Sequence, residues 1–157
     1  MEKSGRKWEK KAGKMLIGTY HHSLDEKNRL SIPKKFRETL GGMVVVTRGL
    51  DGCLFIYGKT DWENIEAKIM ETPLTKADAR GFSRLILSGA CEETLDKLGR
   101  IIMPEYLREF AGIKTETAIL GVGDRLEVWA KEKWESYQKD LTANSDQIAE
   151  RLSEMGI

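Results

Sequence analysis

The sequence predicts an α+β protein built from two copies of one unit, and three observations carry that expectation. First, the stretch from Leu24 to Gly41 recurs 71 residues later, from Leu95 to Gly112, with seven of 18 positions identical: the Leu, Asp, Arg, Pro, Arg, Glu and Gly. Second, after one extra residue in the later copy the match resumes, with Leu54-Phe55-Ile56-Tyr57 facing Leu126-Glu127-Val128-Trp129 and Trp62-Glu63 facing Trp134-Glu135. Third, strand-like and helix-like patterns alternate in the same order in both copies.

Each element follows from its residues. Tyr20 to Leu24 and Ala90 to Leu95 have room for a first strand, and the branched and apolar runs Arg29–Ile32 and Arg100–Met103 favour a second. Between them stands Asp-x-x-Asn/Gly-Arg, with Asn28 and Gly99 in the same slot. These are the residue types that best tolerate the left-handed region, so a tight turn with positive φ is expected, and it decides where Arg29 and Arg100 point.

Pro33 and Pro104 then start a short helix, where a missing N–H does no harm. Phe36 with Leu40, and Leu107 with Ala111, share one face of it, and Gly41 and Gly112 stop it. A strand over Met43–Arg48 or Thr117–Leu120 comes next, then a Gly/Asp turn, then a strand ending at Tyr57 or Trp129. A helix closes each copy, with Trp62, Ile65 and Ile69, or Trp134, Tyr137 and Leu141, at i, i+3, i+7. Thr60 and Glu63 have capping-box spacing. A further helix is expected from about Lys76 to Leu87 despite Gly81, and Ile148, Leu152 and Met155 have helical spacing in the tail. The expected organisation is an arm or early-start extension over 1–14, a first repeat over 19–65, a helical linker over 66–89, a second repeat over 90–136 and a helical tail over 137–157.

Composition narrows the function. The chain has 157 residues, 40% hydrophobic and 32% charged, which suits one globular domain or two small ones. No apolar run approaches the roughly 20 residues that span a bilayer, and the lysine-rich start lacks the apolar stretch of a secretory signal. Cys53 and Cys91 lie far apart, suit a reducing cytosol and read as small packing residues. The net charge of +1 divides into +4 over residues 1–14 and −3 over the rest, so any nucleic-acid contact needs a local patch or many patches multiplied by assembly.

Few residues suggest catalysis. His21 and His22 with Asp25 could form a metal or acid–base cluster, but neighbours in a strand point to opposite faces. No nucleophile elbow, zinc-protease, Walker or dinucleotide pattern is present, so an enzyme is not expected, nor a metal, cofactor or small-molecule substrate. Trp62, Trp134, Trp129 and Tyr57 read as packing residues. Arg29 and Arg100 either brace the turn by pairing with Asp25 and Asp96, or reach a phosphate or guanine edge, and the two roles can coexist. The first copy is the more basic: from Asp25 to Arg48 it carries six basic and three acidic residues, against four and four from Asp96 to Ile119.

The doubled Asp-x-x-Gly/Asn-Arg-x-x-x-Pro unit, the Thr47-Arg48-Gly49-Leu50-Asp51-Gly52-Cys53-Leu54 run, and Phe82-Ser83-Arg84 leading into Ser88-Gly89-Ala90 resemble the MraZ family. That family is the bacterial regulator at the head of the division and cell-wall gene cluster, and the resemblance covers Met15 to about Leu141. It implies a SpoVT-AbrB type fold, in which two swapped-hairpin-like halves make a pseudo-two-fold β-barrel with peripheral helices. It also implies ring-shaped homo-oligomers in the cytoplasm, associated with the nucleoid, that bind double-stranded DNA at repeated promoter boxes as a repressor. Carried onto this sequence, the DNA-contacting turns fall on Asp25–Arg29 and Asp96–Arg100. Asn28 departs from the Gly common in that position, and it could add a hydrogen-bonding side chain.

The nucleic-acid-binding residues expected are Lys27, Asn28, Arg29, Lys34, Lys35 and Arg100, with Asp25, Asp96 and Gly99 bracing the turns. The competing expectation is a protein-interaction module of the same fold, antitoxin-like, that takes its partner on the segment after Leu141.

Overall fold

The computed structural model describes residues 15–157. The arm expected over residues 1–14 lies outside the described residues. The first copy runs β1 (Leu16–Ser23), β2 (Arg29–Ser31), α1 (Lys34–Leu40), β3 (Met43–Arg48), β4 (Leu54–Gly58), α2 (Lys59–Met70) and α3 (Ala77–Ser88). The second runs β5 (Cys91–Thr94), β6 (Arg100–Ile102), α4 (Glu105–Ala111), β7 (Glu116–Gly123), β8 (Leu126–Ala130), α5 (Lys131–Ala143) and α6 (Ser145–Glu154).

The two copies are interleaved. Six strands form one antiparallel sheet in the order β1-β7-β8-β4-β3-β5, and β2 pairs with β6 as a separate ribbon. The first strand of each copy therefore leaves its own unit: β1 lies along β7, from Leu16 opposite Gly123 to Ser23 opposite Glu116, and β5 lies along β3. A pseudo-two-fold axis passes between equivalent residues, through the pair Phe55–Glu127 in the sheet and Leu30–Ile101 in the ribbon.

Strand alternation divides the interior into two layers. Val44, Val46, Leu54, Ile56, Ile119, Leu126 and Val128 face the larger cluster, which the ribbon closes with Leu30 and Ile101 and the short helices close with Phe36 and Leu107. Each of those side chains, fully withdrawn from water, contributes about 1.5–3 kcal/mol. The alternate residues Cys53, Phe55, Tyr57, Ala118, Leu120 and Trp129 face the other way, under Trp134 of α5 and the half-buried Trp62 and Ile65 of α2. The two Asp-x-x-Asn/Gly-Arg turns stand on the ribbon side.

Several expectations need correction. The six-stranded sheet has free edges at β1 and β5, so hydrogen bonds do not close the barrel. Pro33 and Pro104 follow β2 and β6 closely and have no N–H to extend a ladder, which holds each ribbon strand to three residues. Strand β1 begins at Leu16, well before Tyr20, because β7 runs on to Gly123 and offers it partners. The capping box at Thr60 and Glu63 does not form. Helix α2 starts at Lys59 directly from β4, its N-cap is Gly58, and no side chain caps it. Gly58 sits where a Cβ would come within 2.9 Å of the Leu40 carbonyl oxygen, so the close approach dictates the entry. Pro33 and Pro104 occupy the position just before the first helical residue, and Trp62 is only partly buried.

The stops occur where expected. Gly41 and Gly112 follow their helices at φ 85° and 66°. Helix α3 continues through Gly81, where a Cβ would meet nothing within 4 Å, and it buries Ile86 against the body.

Candidate nucleic-acid interface

The two Asp-x-x-Asn/Gly-Arg turns are built alike, and their chemistry starts at the aspartate. The Asp25 carboxylate accepts the backbone N–H groups of Lys27 and Arg29 on Oδ1, both at 2.9 Å, and the Arg29 Nε–H on Oδ2 at 2.7 Å. Asp96 does the same for Leu98, Arg100 and the Arg100 Nε, at 2.9, 2.9 and 2.8 Å. A short carboxylate that binds its own backbone two residues on is the mechanism of an Asx turn. Asn28 and Gly99 carry the positive φ, 59° and 77°, which the shared slot predicts.

These bonds hold both aspartates below the usual carboxylate pKa. The Arg29 N–H is the largest cause at Asp25 and the Arg100 N–H at Asp96; partial burial opposes it, and the guanidinium bonds reinforce it. The aspartates are therefore ionised at neutral pH and fix both arginines through Nε. Within each turn the side-chain bond is made through Nε and not through the Nη groups. The side chains of Arg29 and Arg100 are 28% and 25% exposed.

The copies lock each other at this point. Ile32 N–H donates to the Gly99 carbonyl and Met103 N–H to the Asn28 carbonyl, both at 2.9 Å. In the ribbon Arg29 stands opposite Ile102 and Ser31 opposite Arg100. Because Leu30 and Ile101 point inward and are buried, Arg29, Ser31, Arg100 and Ile102 share the outer face. Arg100 also reaches across, its Nη1 lying 3.7 Å from Asp25 Oδ2. The fold thus brings Asp25, Asn28, Arg29, Asp96, Gly99 and Arg100 together.

The remaining expected residues flank this centre. Lys27 is exposed in the first turn, and Lys34 and Lys35 are exposed at the start of α1. Their counterparts in the second copy are Leu98, Glu105 and Tyr106, so the basic flank belongs to copy one. Both readings of the arginines are compatible here, since pairing with aspartate is observed and leaves each side chain about a quarter exposed.

Sequence reasoning overlooked Arg37 and Arg108. Arg37 Nε donates to the Ile32 carbonyl at 2.7 Å and Arg108 Nε to Met103 at 2.9 Å. Arg37 also lies across the other copy's turn, since a Cβ on Gly99 would fall 2.1 Å from its Nε. The signal was present in the sequence: this arginine is one of the seven identities between the copies.

The histidines do not assemble into a site. His21 is exposed and His22 half-buried, and burial followed by the Arg37 charge pushes the His22 pKa down. Among the described residues no group of three His, Cys, Asp or Glu side chains could hold a metal, and no helix is long and apolar enough to cross a membrane.

Comparison with known proteins agrees with the duplicated geometry. The chain matches the family described as "MraZ protein, putative antitoxin-like" twice, over residues 15–85 and 86–155. It is 49% identical over 143 residues to a protein of Thermoanaerobacter sp. strain X514 and 48% identical over 143 residues to one of Syntrophomonas wolfei. A relative from Acetivibrio thermocellus is 48% identical over the same length. Each alignment covers 91% of this chain and 100% of the relative, and each relative is named "Transcriptional regulator MraZ", the name of a regulator and not of an enzyme. With two family matches, near-half identity to full-length relatives and a doubled turn at its centre, the chain belongs to the MraZ family of transcriptional regulators.

Proposed function

We propose that this protein is a sequence-specific DNA-binding repressor of the division and cell-wall gene cluster, acting in the cytoplasm on the nucleoid. It binds repeated promoter boxes in double-stranded DNA as a ring-shaped homo-oligomer with the SpoVT-AbrB type of half-barrel pairing. The observation that carries this reading is the pair of aspartate-locked arginines side by side on the outer face of the β2–β6 ribbon. A guanidinium held in advance loses little freedom on binding, and its Nη edge fits a guanine edge or a phosphate. Lys27, Lys34 and Lys35 add phosphate contacts on the first copy, and Asn28 offers a side-chain amide at the turn. Asp25, Asp96 and Gly99 brace the two arginines.

A surplus of three positive charges on one subunit neutralises few phosphates, and affinity rises steeply with the number neutralised. Several identical subunits engaging several boxes raise the effective concentration with no stronger single contact. A nearly neutral chain can grip DNA in this way.

The test is a band-shift titration on the DNA just upstream of the protein's own gene, at two salt concentrations. Arg29→Ala is expected to weaken binding more than Arg100→Ala with folding unchanged, by about 1–3 kcal/mol if Arg29 makes a bidentate base contact. Equal and negligible effects, or indifference to scrambled DNA, would overturn the assignment. A second reading, capture of a partner protein by the segment after Leu141, draws on α6, where Ile148 is half-buried and no side chain is fully buried. Loss of a partner with DNA binding retained, on removing residues 142–157, would favour it.

A further inference from the structure

The peptide unit leading into each turn arginine is held by both copies. In the second turn the Gly99–Arg100 peptide gives its N–H to Asp96 Oδ1 at 2.9 Å, and its carbonyl accepts the Ile32 N–H of the first copy at 2.9 Å. In the first turn the Asn28–Arg29 peptide gives its N–H to Asp25 Oδ1 and accepts the Met103 N–H of the second copy, again at 2.9 Å each. A peptide is a rigid plane, so holding it at both ends fixes the point and plane from which the arginine side chain departs. One end of the hold is local, and the other lies in the opposite copy.

That second end has a support of its own. Ile32 and Met103 each precede a proline, so the peptide that follows has no N–H and can bond only through the Ile32 or Met103 carbonyl. Arg37 Nε donates to the first at 2.7 Å and Arg108 Nε to the second at 2.9 Å. Arg37 comes from α1 and Arg108 from α4, each helix following its own proline. Arg37 thus braces Ile32, which holds the turn of Arg100, and Arg108 braces Met103, which holds the turn of Arg29. Arg37 also covers Gly99 directly, since a Cβ there would overlap its guanidinium.

We infer that Arg37 and Arg108 are positioning residues that act crosswise: Arg37 sets the base readout of Arg100, and Arg108 sets that of Arg29. The inference rests on the DNA-binding reading and adds which residue controls which half of it. The crossed role needs an N–H at the Nε position, whereas a direct phosphate contact needs the charge. Glutamine separates the two, because its amide nitrogen stands the same number of bonds from Cα as the arginine Nε and carries no charge. Methionine keeps the bulk and has no donor.

The test uses the full chain and duplexes of the DNA just upstream of its own gene, with base pairs substituted one at a time. Affinities are read by band shift at two salt concentrations, and circular dichroism checks folding. Arg100→Ala and Arg29→Ala mark the positions that each turn reads. Arg37→Met is expected to lose about fivefold or more of the discrimination at the Arg100 positions and to keep it at the Arg29 positions; Arg108→Met should do the reverse. Arg37→Gln and Arg108→Gln should restore the wild-type profile. Should Arg37→Met fail to fold, Arg37→Lys takes its place, with its ammonium lying beyond the Nε position. Loss at the positions of the same copy's turn arginine, or an unchanged profile in the Met variants, would overturn the crossed arrangement. So would uniform weakening of all duplexes with a shallower salt dependence and no rescue by Gln, the mark of a phosphate contact. In each of these cases the DNA-binding reading stands, since Arg29→Ala or Arg100→Ala still alters the profile. A wild type without base preference overturns both.

Discussion

Replacing Gly99 by Ala tests how the copies hold each other's turns. At φ 77° an L side chain costs about 1–2 kcal/mol. The new Cβ would also lie 2.1, 2.3 and 2.7 Å from Arg37 Nε, Cζ and Cδ, so the guanidinium must leave. Its departure forfeits the 2.7 Å bond to the Ile32 carbonyl. A charged hydrogen bond contributes about 1.5–3 kcal/mol, and because Arg37 is only half-buried the lower end applies. The sum is a loss of about 2.5–3.5 kcal/mol, read by urea unfolding at fixed protein concentration. Asn28→Gly, in the equivalent slot, is the control and should move stability by less than about 1 kcal/mol. In a double-mutant cycle, Arg37→Ala should relieve much of the damage, since it removes the side chain that collides. A loss below about 1 kcal/mol, or strict additivity with Arg37→Ala, would refute the reasoning.

Three further outcomes follow from the same contacts. The Asp25 and Asp96 carboxyls sit below their ordinary pKa in the folded protein, so the stability they add is complete above about pH 4 and is lost as pH falls through the folded values. Thermal melts from pH 7 to pH 3 should therefore slope less steeply at the acid end for Asp25→Asn with Asp96→Asn, and equal slopes would count against the bracing role. Burial, followed by the Glu127 charge, pushes the Cys53 thiol up to about 12, whereas Cys91 is half-buried beside Glu93. A thiol reagent at pH 8 should accordingly modify Cys91 first and Cys53 only on denaturation; two equally fast thiols would contradict this. Thr47→Val leaves the buried Ile86 carbonyl without its donor and should cost about 1–3 kcal/mol by chemical denaturation, with α3 amides exchanging faster. Unchanged exchange in α3 would show that packing alone seats it.

The duplication was legible because three of its identities direct the backbone, an Asp that accepts N–H groups, a Pro and a stopping Gly, and because Asn28 and Gly99 share a slot that needs positive φ. Those residues dictate local shape, and local shape is what a single sequence records best. The braced arginines were legible for the same reason, since Asp25 and Arg29 lie within one turn. The exchange of first strands was not readable from residue patterns. Nothing in Tyr20–Leu24 distinguishes β7 from β3 as a partner, and the choice is decided by burial across the whole body. Arg37 shows the same boundary. Its helix and its identity with Arg108 are plain in the sequence, but its position across Gly99 depends on how two distant segments meet. The Thr60–Glu63 spacing failed because a close backbone approach at Gly58 outweighed a side-chain cap.

The crossing of β1 onto β7 and β5 onto β3 makes the polypeptide a dimer tied by a covalent tether. Cut anywhere between residues 71 and 76, it would yield two fragments that each lack a strand and a turn support, so neither half should persist until it meets the other. The tether also frees the halves from being identical. A dimer of one short chain must change both outward surfaces at once, whereas here Lys27 and Lys35 on one side coexist with Leu98 and Tyr106 on the other. Symmetry is kept at the seam and released at the rim, which lets a single gene present two unlike faces from one scaffold.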